Sequence, residues 1–368
     1  MAAILSLSLS HFRSHKKLRV EADARPVALH GPNGAGKTNI LEAVSLLSPG
    51  RGLRRASAEE LIRRPENIGW RIAADVKTPD GEREVITAVA APGARRTVEI
   101  DGKSAPQSAL ADIAPMVWLT PAMDRLWTEG AAERRRFIDR ATLSFEPGHA
   151  IRSLAYEKAM RERNRLLKDG GADPGWVSAL EAQMAKAGAG LARARAEAVA
   201  RLVAAQADAE TAFPRAGVHL DGPSEEFFAA IISNHGDPRD GEDECEATLL
   251  KTFADGRRND EFAGRSLNGP HRTDLAVQFT AKGVEARVCS TGEQKALLIS
   301  LILANARALA AEGTAPILLL DEIAAHLDRG RRAALFDEVC GIGAQVWMTA
   351  AGVEFFEELG DRGTVVAI

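Results

Sequence analysis

Eight consecutive residues have the types and spacing of a phosphate-binding loop. They are Gly31-Pro32-Asn33-Gly34-Ala35-Gly36-Lys37-Thr38, which match the pattern GxxxxGK[ST] between an apolar strand-like segment and an apolar-periodic one. Glycines let successive backbone N–H groups turn inward around an anion, and the helix that follows adds its positive end. We therefore predict that Lys37 contacts the outer phosphates of a nucleotide, that Thr38 binds Mg²⁺, and that Asn39 extends the nucleotide contact. The alternative is a glycine-rich surface turn.

An apolar run that ends in two acids is the second motif. The run Ile317-Leu318-Leu319-Leu320 predicts a buried parallel strand, and Asp321 and Glu322 follow it directly. Asp321 is predicted to hold Mg²⁺ through water, and Glu322 to orient or deprotonate the attacking water. Glu322 and Lys37 are therefore the candidate catalytic residues. The alternative is an acidic pair that caps a helix.

A third motif, Ser290-Thr291-Gly292-Glu293-Gln294-Lys295, stands directly before the apolar, helical segment 296–308. A serine hydroxyl, a glycine backbone and a helix N-terminus together can form a second phosphate-binding site. Ser290, Gly292 and Gln294 are the predicted nucleotide contacts here. Without the other two motifs, a capped helix start is an open alternative.

The three motifs resemble those of the ABC ATPase superfamily in their order along the chain, which is the glycine-rich loop, the segment 290–295 and the apolar run with its two acids. In that superfamily, two heads hold ATP between the loop of one head and the signature motif of the other. The resemblance implies a homodimer that forms when ATP binds. It also implies a cross-dimer contact by Asp328, in the segment His326-Leu327-Asp328, and a polar switch role for Thr349 after the next strand. Transporter ATPases commonly carry histidine at that last place, so Thr349 favours a non-transport branch.

Shorter segments spread over nearly the whole chain resemble the RecF family. They are His11-Phe12-Arg13-Ser14, Gly50-Arg51-Gly52-Leu53-Arg54, the segment 133–140, Tyr156 with 161–164, and Gly269-Pro270-His271-Arg272-Thr273-Asp274. The resemblance implies a Rad50-like head with a short helical arm, slow ATP hydrolysis, and loading of RecA onto gapped DNA together with RecR and RecO. Two departures exist. The segment 119–124 lacks the glutamine with which many ABC ATPases sense the γ phosphate, and Thr273 replaces a frequent acid.

The elements that position these motifs follow from the hydrophobic pattern. Segments 4–9, 26–29, 84–90, 96–100, 218–220, 317–320 and 345–348 predict strands, and the periodic segment 40–47 predicts a helix after the loop. Residues 121–213 have almost no strand signal, and helices over 150–168 and 176–213 are expected to form a hairpin. The stretch 221–261 has twelve Asp or Glu against four Lys or Arg and is predicted to be a loop-prone, solvated face.

The predicted fold class is α/β: an ABC-type P-loop ATPase head, Rad50-like and split in sequence, with an inserted short α-helical arm. The head, lobe I, is assigned to 1–120 and 214–368, and the arm, lobe II, to 121–213. An arm of this length is too short for the extended coiled coil of a large Rad50 or SMC protein.

Composition indicates a cytoplasmic protein without a membrane partner. The 368 residues include 47 Lys or Arg and 51 Asp or Glu, so attraction to nucleic acid must come from local patches. The three cysteines are far apart and have no metal-ligand spacing, which fits a reducing compartment. The amino-terminal segment lacks the pattern of a signal peptide, and the longest apolar run, 296–304, is too short to span a bilayer.

Local basic clusters are the candidate DNA contacts. They comprise Arg51, Arg54 and Arg55 after the loop helix, Arg135 in a basic run, and Arg161, Arg165 and Lys168 at i, i+4 and i+7 on one helical face. Such cations bind phosphates without regard to sequence and in a salt-dependent way. Few aromatic residues interleave them, so the backbone of a duplex or of a single-strand/double-strand junction is the predicted target. A solvated, ion-paired helix face is the alternative.

Two function classes remain at this point. The first is an ATP-dependent DNA-binding protein of recombinational repair that dimerises on ATP and clamps DNA. The second is an ABC-type ATPase subunit that drives transport or another process unrelated to DNA.

Overall fold

The computed structural model describes residues 2–169, 173–207, 209–323 and 327–368. The chain divides into two compact units. Unit 1 consists of Met1–Asp124, Ala209–Pro214 and Leu298–Ile368, and unit 2 consists of Arg125–Asp208 and Arg215–Leu297.

The elements alternate between the units along the chain. The first part of unit 1 contains β1 (Ala3–Phe12), β2 (His15–Glu21), β3 (Val27–His30), α1 (Lys37–Ser45), β4 (Trp70–Thr78), β5 (Gly81–Val89), β6 (Thr97–Ile100), β7 (Lys103–Ala105) and β8 (Met116–Leu119). Next come α2 (Ala131–Phe145), α3 (His149–Asp169), α4 (Pro174–Ala207), β9 (Ala216–Asp221), α5 (Pro223–Ser233), α6 (Glu242–Ala263), β10 (Asp274–Phe279) and β11 (Val284–Glu285). The last elements are α7 (Thr291–Ala311), β12 (Ile317–Leu320), α8 (Arg329–Ile342), β13 (Gln345–Ala350) and β14 (Thr364–Ala367).

Two sheets form unit 1. One is antiparallel, with strand order β2-β1-β4-β5-β6-β7, and the other is parallel, with order β14-β3-β13-β12-β8. All four residues of β12 are buried, as expected for a central parallel strand. The predicted strand 317–320 is confirmed, and the predicted strands 84–90 and 96–100 lie in the antiparallel sheet as β5 and β6. The α/β class is confirmed with them.

A buried glutamine joins the two sheets of unit 1. The Gln345 side chain donates to the backbone oxygens of Ile4, at 2.8 Å, and Asp23, at 2.6 Å, and it accepts the Ile4 N–H at 2.8 Å. Its polar groups are thereby satisfied, which a buried amide requires. This explains why a fully buried parallel strand begins with a polar residue.

The predicted helical hairpin is present in unit 2 as α3 and α4, but α4 ends earlier than predicted. The sequence pattern extended this helix to Phe213, whereas the structure ends it at Ala207. The cause is a side-chain bond that ties the helix end to the next strand. Gln206 donates to the backbone oxygen of Ala216 at 3.2 Å and accepts its N–H at 2.8 Å.

The expectation of a loop-prone stretch over 221–261 is wrong. Most of the stretch is helical, because Pro223 begins α5 and the acids after Gly241 fill the first turn of α6. Proline in a first turn and acids at a helix N-terminus both favour a helix. Cys245, Leu249 and Phe253 of α6 recur at helical spacing and are buried in the core of unit 2.

The boundary between the units also differs from the assignment of 214–368 to the head. Residues 215–297 belong to unit 2, together with the arm helices. The reason is packing, since α5, α6 and β9 all lie against α4. The third motif, at Ser290, is therefore in the same compact unit as the arm helices.

Helix α7 is the one described helix that is long and apolar enough to cross a membrane, judged by length and composition alone. Of its most apolar window, 83% is buried inside the protein. This is the burial of a core helix.

A tyrosine–histidine pair holds α3 to the loop before β10. The Tyr156 hydroxyl lies 2.8 Å from His271 Nδ1, and His271 Nε2 lies 3.0 Å from the Ser266 carbonyl oxygen. His271 must donate to the carbonyl through Nε2, so Nδ1 accepts from the tyrosine. Burial lowers the pKa of His271 and keeps the ring neutral.

Replacement of this tyrosine gives a stability prediction. Tyr156→Phe keeps the ring and leaves His271 Nδ1 without its donor, so the free energy of unfolding is expected to fall by roughly 1–3 kcal/mol at neutral pH. Urea unfolding followed by circular dichroism measures this loss. An unchanged midpoint would show that water replaces the hydroxyl.

The same pair sets a pH dependence. Because the folded-state pKa of His271 lies below its ordinary value of 6.5, protons bind the unfolded chain first. The contribution of the neutral His271 ring to the free energy of unfolding is present above pH 6.5 and is lost as the pH falls below this value. A His271→Gln variant is expected to lose less stability than the wild type between pH 7 and pH 5.

Candidate nucleotide-binding site

The glycine-rich loop lies between β3 and α1, as predicted. Gly31, Gly34 and Gly36 have φ values of 153°, 88° and 103°, in the region that favours glycine. A Cβ added to Gly36 would lie 2.5 Å from both Ser14 Oγ and His15 Nε2. The loop therefore closes tightly against the turn between β1 and β2, and only glycine fits there.

Lys37 occupies the inside of the loop. Its ammonium donates to the carbonyl oxygens of Gly31, at 2.7 Å, and Pro32, at 2.9 Å, and the residue is only 5% exposed. Pro32 and Asn33 are exposed, and Ala35 is half-buried. A cation inside a ring of backbone groups is the arrangement that binds a polyphosphate.

Three predicted residues meet at Asp321. Thr38 Oγ1 donates to Asp321 Oδ1 at 2.9 Å, and Thr349 Oγ1 donates to the same oxygen at 2.8 Å. The Glu322 N–H donates to Thr349 Oγ1 at 2.9 Å. The Thr349 hydroxyl therefore bonds the carboxylate of Asp321, which is proposed to bind the metal, and the backbone of Glu322, which is proposed to act in catalysis.

The electrostatics of this cluster suit a cation. Burial raises the pKa of the Asp321 carboxyl, against the effect of the hydrogen bonds from Thr349 and Thr38, and the charge of Glu322 raises it further. A divalent cation would relieve that buried negative charge, and carboxylate and hydroxyl oxygens are ligands that Mg²⁺ accepts.

Glu322 has a strained backbone. Its φ is 53°, which is uncommon for a residue with a side chain and recurs at functional sites. The bond from its N–H to Thr349 Oγ1 holds this conformation. The strain turns the chain sharply after β12, directly beside Asp321.

A polar collar around the loop was not predicted as part of the site. His15 Nε2 lies 3.1 Å from the Gly36 oxygen, and Asn39 donates to Ser14 Oγ at 2.8 Å. Arg13 donates to both carboxylate oxygens of the buried Glu42 at 2.8 Å. The segment His11-Phe12-Arg13-Ser14 pointed to Arg13 and Ser14 without assigning them a role, and no motif pointed to His15 or Glu42.

The third motif caps α7 in unit 2. Ser290 donates to Glu293 Oε2 through its N–H, at 2.9 Å, and through its hydroxyl, at 3.0 Å, while the Glu293 N–H points back to Ser290 Oγ at 3.4 Å. This is a capping box. Bonds from Lys282 and Ser290 lower the pKa of Glu293 to about 2. Ser290 and Gly292 are exposed, so both are accessible to a ligand.

Gln294 is placed differently from these two residues. Its side chain is buried and donates to the carbonyl oxygens of Ala286, at 3.0 Å, and Arg287, at 3.2 Å. Trp127 Nε1 donates to its backbone oxygen at 3.0 Å. In this structure Gln294 holds the turn before the motif, and its direct contact with a nucleotide stays a prediction.

Asp328 is exposed and is the N-cap of α8. Its carboxylate accepts the Arg331 N–H at 2.9 Å. Capping accounts for its position, and the cross-dimer contact stays a prediction. His326 lies outside the described residues.

The predicted DNA contacts fall into both units. In unit 1, Arg51, Arg54 and Arg55 are exposed, and Arg54 Nη1 donates to Asn39 Oδ1 at 3.0 Å, which places it beside the loop helix. In unit 2, Arg135 is half-buried and donates to the Thr273 carbonyl oxygen at 2.7 Å.

The stripe Arg161, Arg165 and Lys168 is exposed along one face of α3 in unit 2. Only an exposed, weak pair at 3.5 Å joins Arg161 to Glu157. Among the described residues, no cluster of three or more His, Cys, Asp or Glu could hold a metal ion.

The chain is similar to known proteins over nearly its whole length. The family described as RecF/RecN/SMC N terminal domain matches residues 3–366. A protein of Brucella suis biovar 1 (strain 1330), named DNA replication and repair protein RecF, is 47% identical over 97% of this chain and 92% of its own.

Solved structures share the fold. A structure titled as the recombination mediator protein RecF-ATPrS in RecFOR pathway superposes with a TM-score of 0.83 at 22% identity, covering 100% of this chain and 96% of the other. The Smc head domain of Pyrococcus furiosus gives 0.51 at 18% identity, covering 100% and 93%. These likenesses establish the ABC-type head fold of RecF and SMC proteins. With close to half of its residues identical to a full-length relative, the chain belongs to the RecF family.

Proposed function

We propose that this chain is an ATP-dependent DNA-binding protein of recombinational repair. The observation that carries the proposal is the bonded cluster of Thr38, Asp321, Thr349 and Glu322 beside the loop that encloses Lys37. Membership of the RecF family supports the choice of DNA over a transported substrate. So does the exposed basic face of α3, which a transport subunit does not need.

The residues present fit ATP with Mg²⁺. The glycine-rich loop and Lys37 would hold the phosphates, and Thr38 and Asp321 would hold the metal. The positive charge of the metal would stabilise the buried carboxylate of Asp321. When bound, ATP supplies the terminal phosphate that is transferred to water. Glu322 would orient and deprotonate that water. Thr349 would fix the positions of Asp321 and Glu322 relative to each other through its two hydrogen bonds.

The exposed third motif supports dimerisation. Ser290 and Gly292 present a hydroxyl and a helix N-terminus to solvent, and a second copy could use them as a phosphate grip. We propose that two copies close around ATP in this way, with Asp328 reaching across, and that closure holds DNA. Slow hydrolysis would then release it.

The proteins that this chain resembles support a proposal for its cellular role. We propose that it acts in the cytoplasm and helps load RecA at gaps, with RecR and RecO as partners. Arg51, Arg54, Arg55, Arg135, Arg161, Arg165 and Lys168 are the proposed DNA contacts, on duplex or junction DNA without regard to sequence.

Sizing of the protein tests this proposal. With ATP and Mg²⁺ the chain is expected to elute as a dimer, and addition of duplex DNA should give a complex that weakens between low and high salt. Light scattering in line with the column measures the mass. A chain that stays monomeric and ignores DNA at saturating nucleotide would contradict the proposal, and ADP in place of ATP is the matched control.

A further inference from the structure

Arg96 is a half-buried arginine between β5 and β6 of unit 1. Its Nε donates to Thr87 Oγ1 at 2.8 Å, its Nη1 donates to the Gly50 carbonyl oxygen at 2.6 Å, and its Nη2 donates to the Leu46 carbonyl oxygen. Burial lowers the pKa of Arg96 to about 10, so the side chain stays charged at neutral pH. Its charge is directed at backbone oxygens, and no carboxylate among the described residues bonds it.

Thr87 fixes the direction of this guanidinium. The threonine is fully buried in β5, and its hydroxyl donates to the Thr97 carbonyl oxygen at 2.9 Å while it accepts the bond from Arg96. A guanidinium is planar and offers its N–H groups in a fixed fork. Because the sheet holds Nε, the two Nη groups point at the end of α1 and at the chain that follows it.

The two backbone oxygens that Arg96 bonds belong to the end of α1 and the segment after it. Leu46 is the C-cap of α1, and the last carbonyl groups of a helix have no partner within the helix. A cation at this position also matches the negative end of the helix dipole. Gly50 has a φ of 97° and begins the turn that leads into the basic cluster at Arg51.

A second contact holds the same segment further along. Leu53 is buried, and its N–H donates to Ser45 Oγ at 2.9 Å. Gly52 has a φ of 70° and packs on the same serine, since an added Cβ would lie 2.7 Å from Ser45 Oγ. Arg96 and Ser45 therefore hold this segment at two points. We call residues 46–55 the arginine loop.

The arginine loop presents three exposed cations beside the phosphate-binding loop. They are Arg51, Arg54 and Arg55. Arg54 Nη1 donates to Asn39 Oδ1 at 3.0 Å and lies 3.7 Å from Glu42 Oε2, which ties the arginine loop to α1 as well. A loop that is ordered before it meets its ligand avoids the entropy cost of becoming ordered on binding.

We propose that Arg96 is a positioning residue for DNA binding, which holds the arginine loop so that its three arginines meet the DNA backbone as one preformed set. The proposal rests on the proposed DNA binding by these arginines, and it adds the residue that orders them. An arginine loop without this hold would bind the same phosphates only after losing its conformational freedom, which lowers affinity.

Limited trypsin digestion of the free protein tests the positioning without DNA. Arg96→Met keeps the apolar stem and removes the three donors. Cleavage after the three loop arginines is expected to become roughly tenfold faster, because the loop opens more often. Cleavage after Lys77 should keep its wild-type rate, because this residue lies in β4 between β1 and β5 and the sheet must open there first. Mass spectrometry of the fragments assigns the sites.

Arg95→Met is the matched control, since it makes the same change one residue earlier. Arg95 is exposed and has no side-chain hydrogen bond or ion pair within the part of the chain that the structure describes, so this variant should digest as the wild type does. Arg96→Lys keeps the charge but loses the planar fork, and it is expected to digest as Arg96→Met does. Digestion at the wild-type rate in either Arg96 variant would overturn the positioning by the guanidinium.

Filter retention of duplex DNA with ATP connects the positioning to binding. Arg96→Met is expected to weaken retention roughly tenfold, and replacement of the three loop arginines by serine should weaken it further. The variant that combines both changes should retain DNA as well as the serine variant alone, because Arg96 acts through arginines that are already absent.

The outcomes separate this inference from the proposed function. Additive losses in the combined variant would mean that Arg96 acts on DNA by another route and would overturn the inference. Loss of retention in the serine variant but not in Arg96→Met would overturn it too, and would leave the proposed DNA contacts intact. Full retention in both variants would contradict those contacts as well.

Discussion

Lys37→Ala is expected to abolish ATP-stimulated DNA retention and to lower ATP hydrolysis roughly 100-fold or more. The ammonium is the one cation inside the glycine loop that the structure describes, and the loop carbonyls of Gly31 and Pro32 fix its position. Alanine leaves the backbone N–H groups in place but removes the charge that faces the phosphates. Filter retention of labelled duplex with and without ATP, and phosphate release, measure the two effects.

The experiment needs a check that the variant folds, because alanine leaves the carbonyl oxygens of Gly31 and Pro32 without the Lys37 donor. The cost in unfolding free energy is about 1–3 kcal/mol. Lys77→Ala removes an exposed lysine from β4 of the same unit and should change neither readout. Circular dichroism of both variants checks the fold. A folded Lys37→Ala protein that still gains DNA retention from ATP would remove this lysine from the proposed mechanism.

The nucleotide motifs could be predicted from the sequence because each is a local pattern. The strand 317–320 has the predicted bounds, since a run of four apolar residues between a turn and two acids leaves little freedom. Thr349 was assigned by its place after the next strand, and the structure bonds it to Asp321 at 2.8 Å. What the pattern did not contain is that the same hydroxyl also accepts the Glu322 N–H.

Unit 2 was harder to predict because its order depends on contacts between distant segments. The acids of 221–261 suggested a solvated loop, yet Cys245, Leu249 and Phe253 form the apolar stripe of α6 among them. Because this stripe packs on α4, the segment 215–297 belongs to unit 2 and not to the predicted head. Net charge alone does not distinguish a loop from a helix with one polar face.

Glu322→Gln is expected to have the opposite effect from Lys37→Ala, with a long-lived ATP-bound dimer and slower release of DNA. Glutamine has the size and shape of glutamate without its charge, and the backbone bond from residue 322 to Thr349 Oγ1 does not depend on the side chain. Only the proton acceptor is lost, so hydrolysis should fall by about two to four orders of magnitude while nucleotide binding is retained. Light scattering after gel filtration with ATP, and the rate of DNA release, measure the outcome.

The contrast between the two variants identifies what each residue does. Loss of the Lys37 charge removes the grip on the phosphates, so closure never occurs, whereas loss of the Glu322 carboxylate leaves closure intact and removes the step that ends it. Glu82→Gln, at the exposed start of β5 opposite Lys77, makes the same chemical change away from the site and should behave as the wild type. If Glu322→Gln hydrolysed ATP at the wild-type rate, the strained turn after β12 would position Asp321 alone, and another group would have to activate the water.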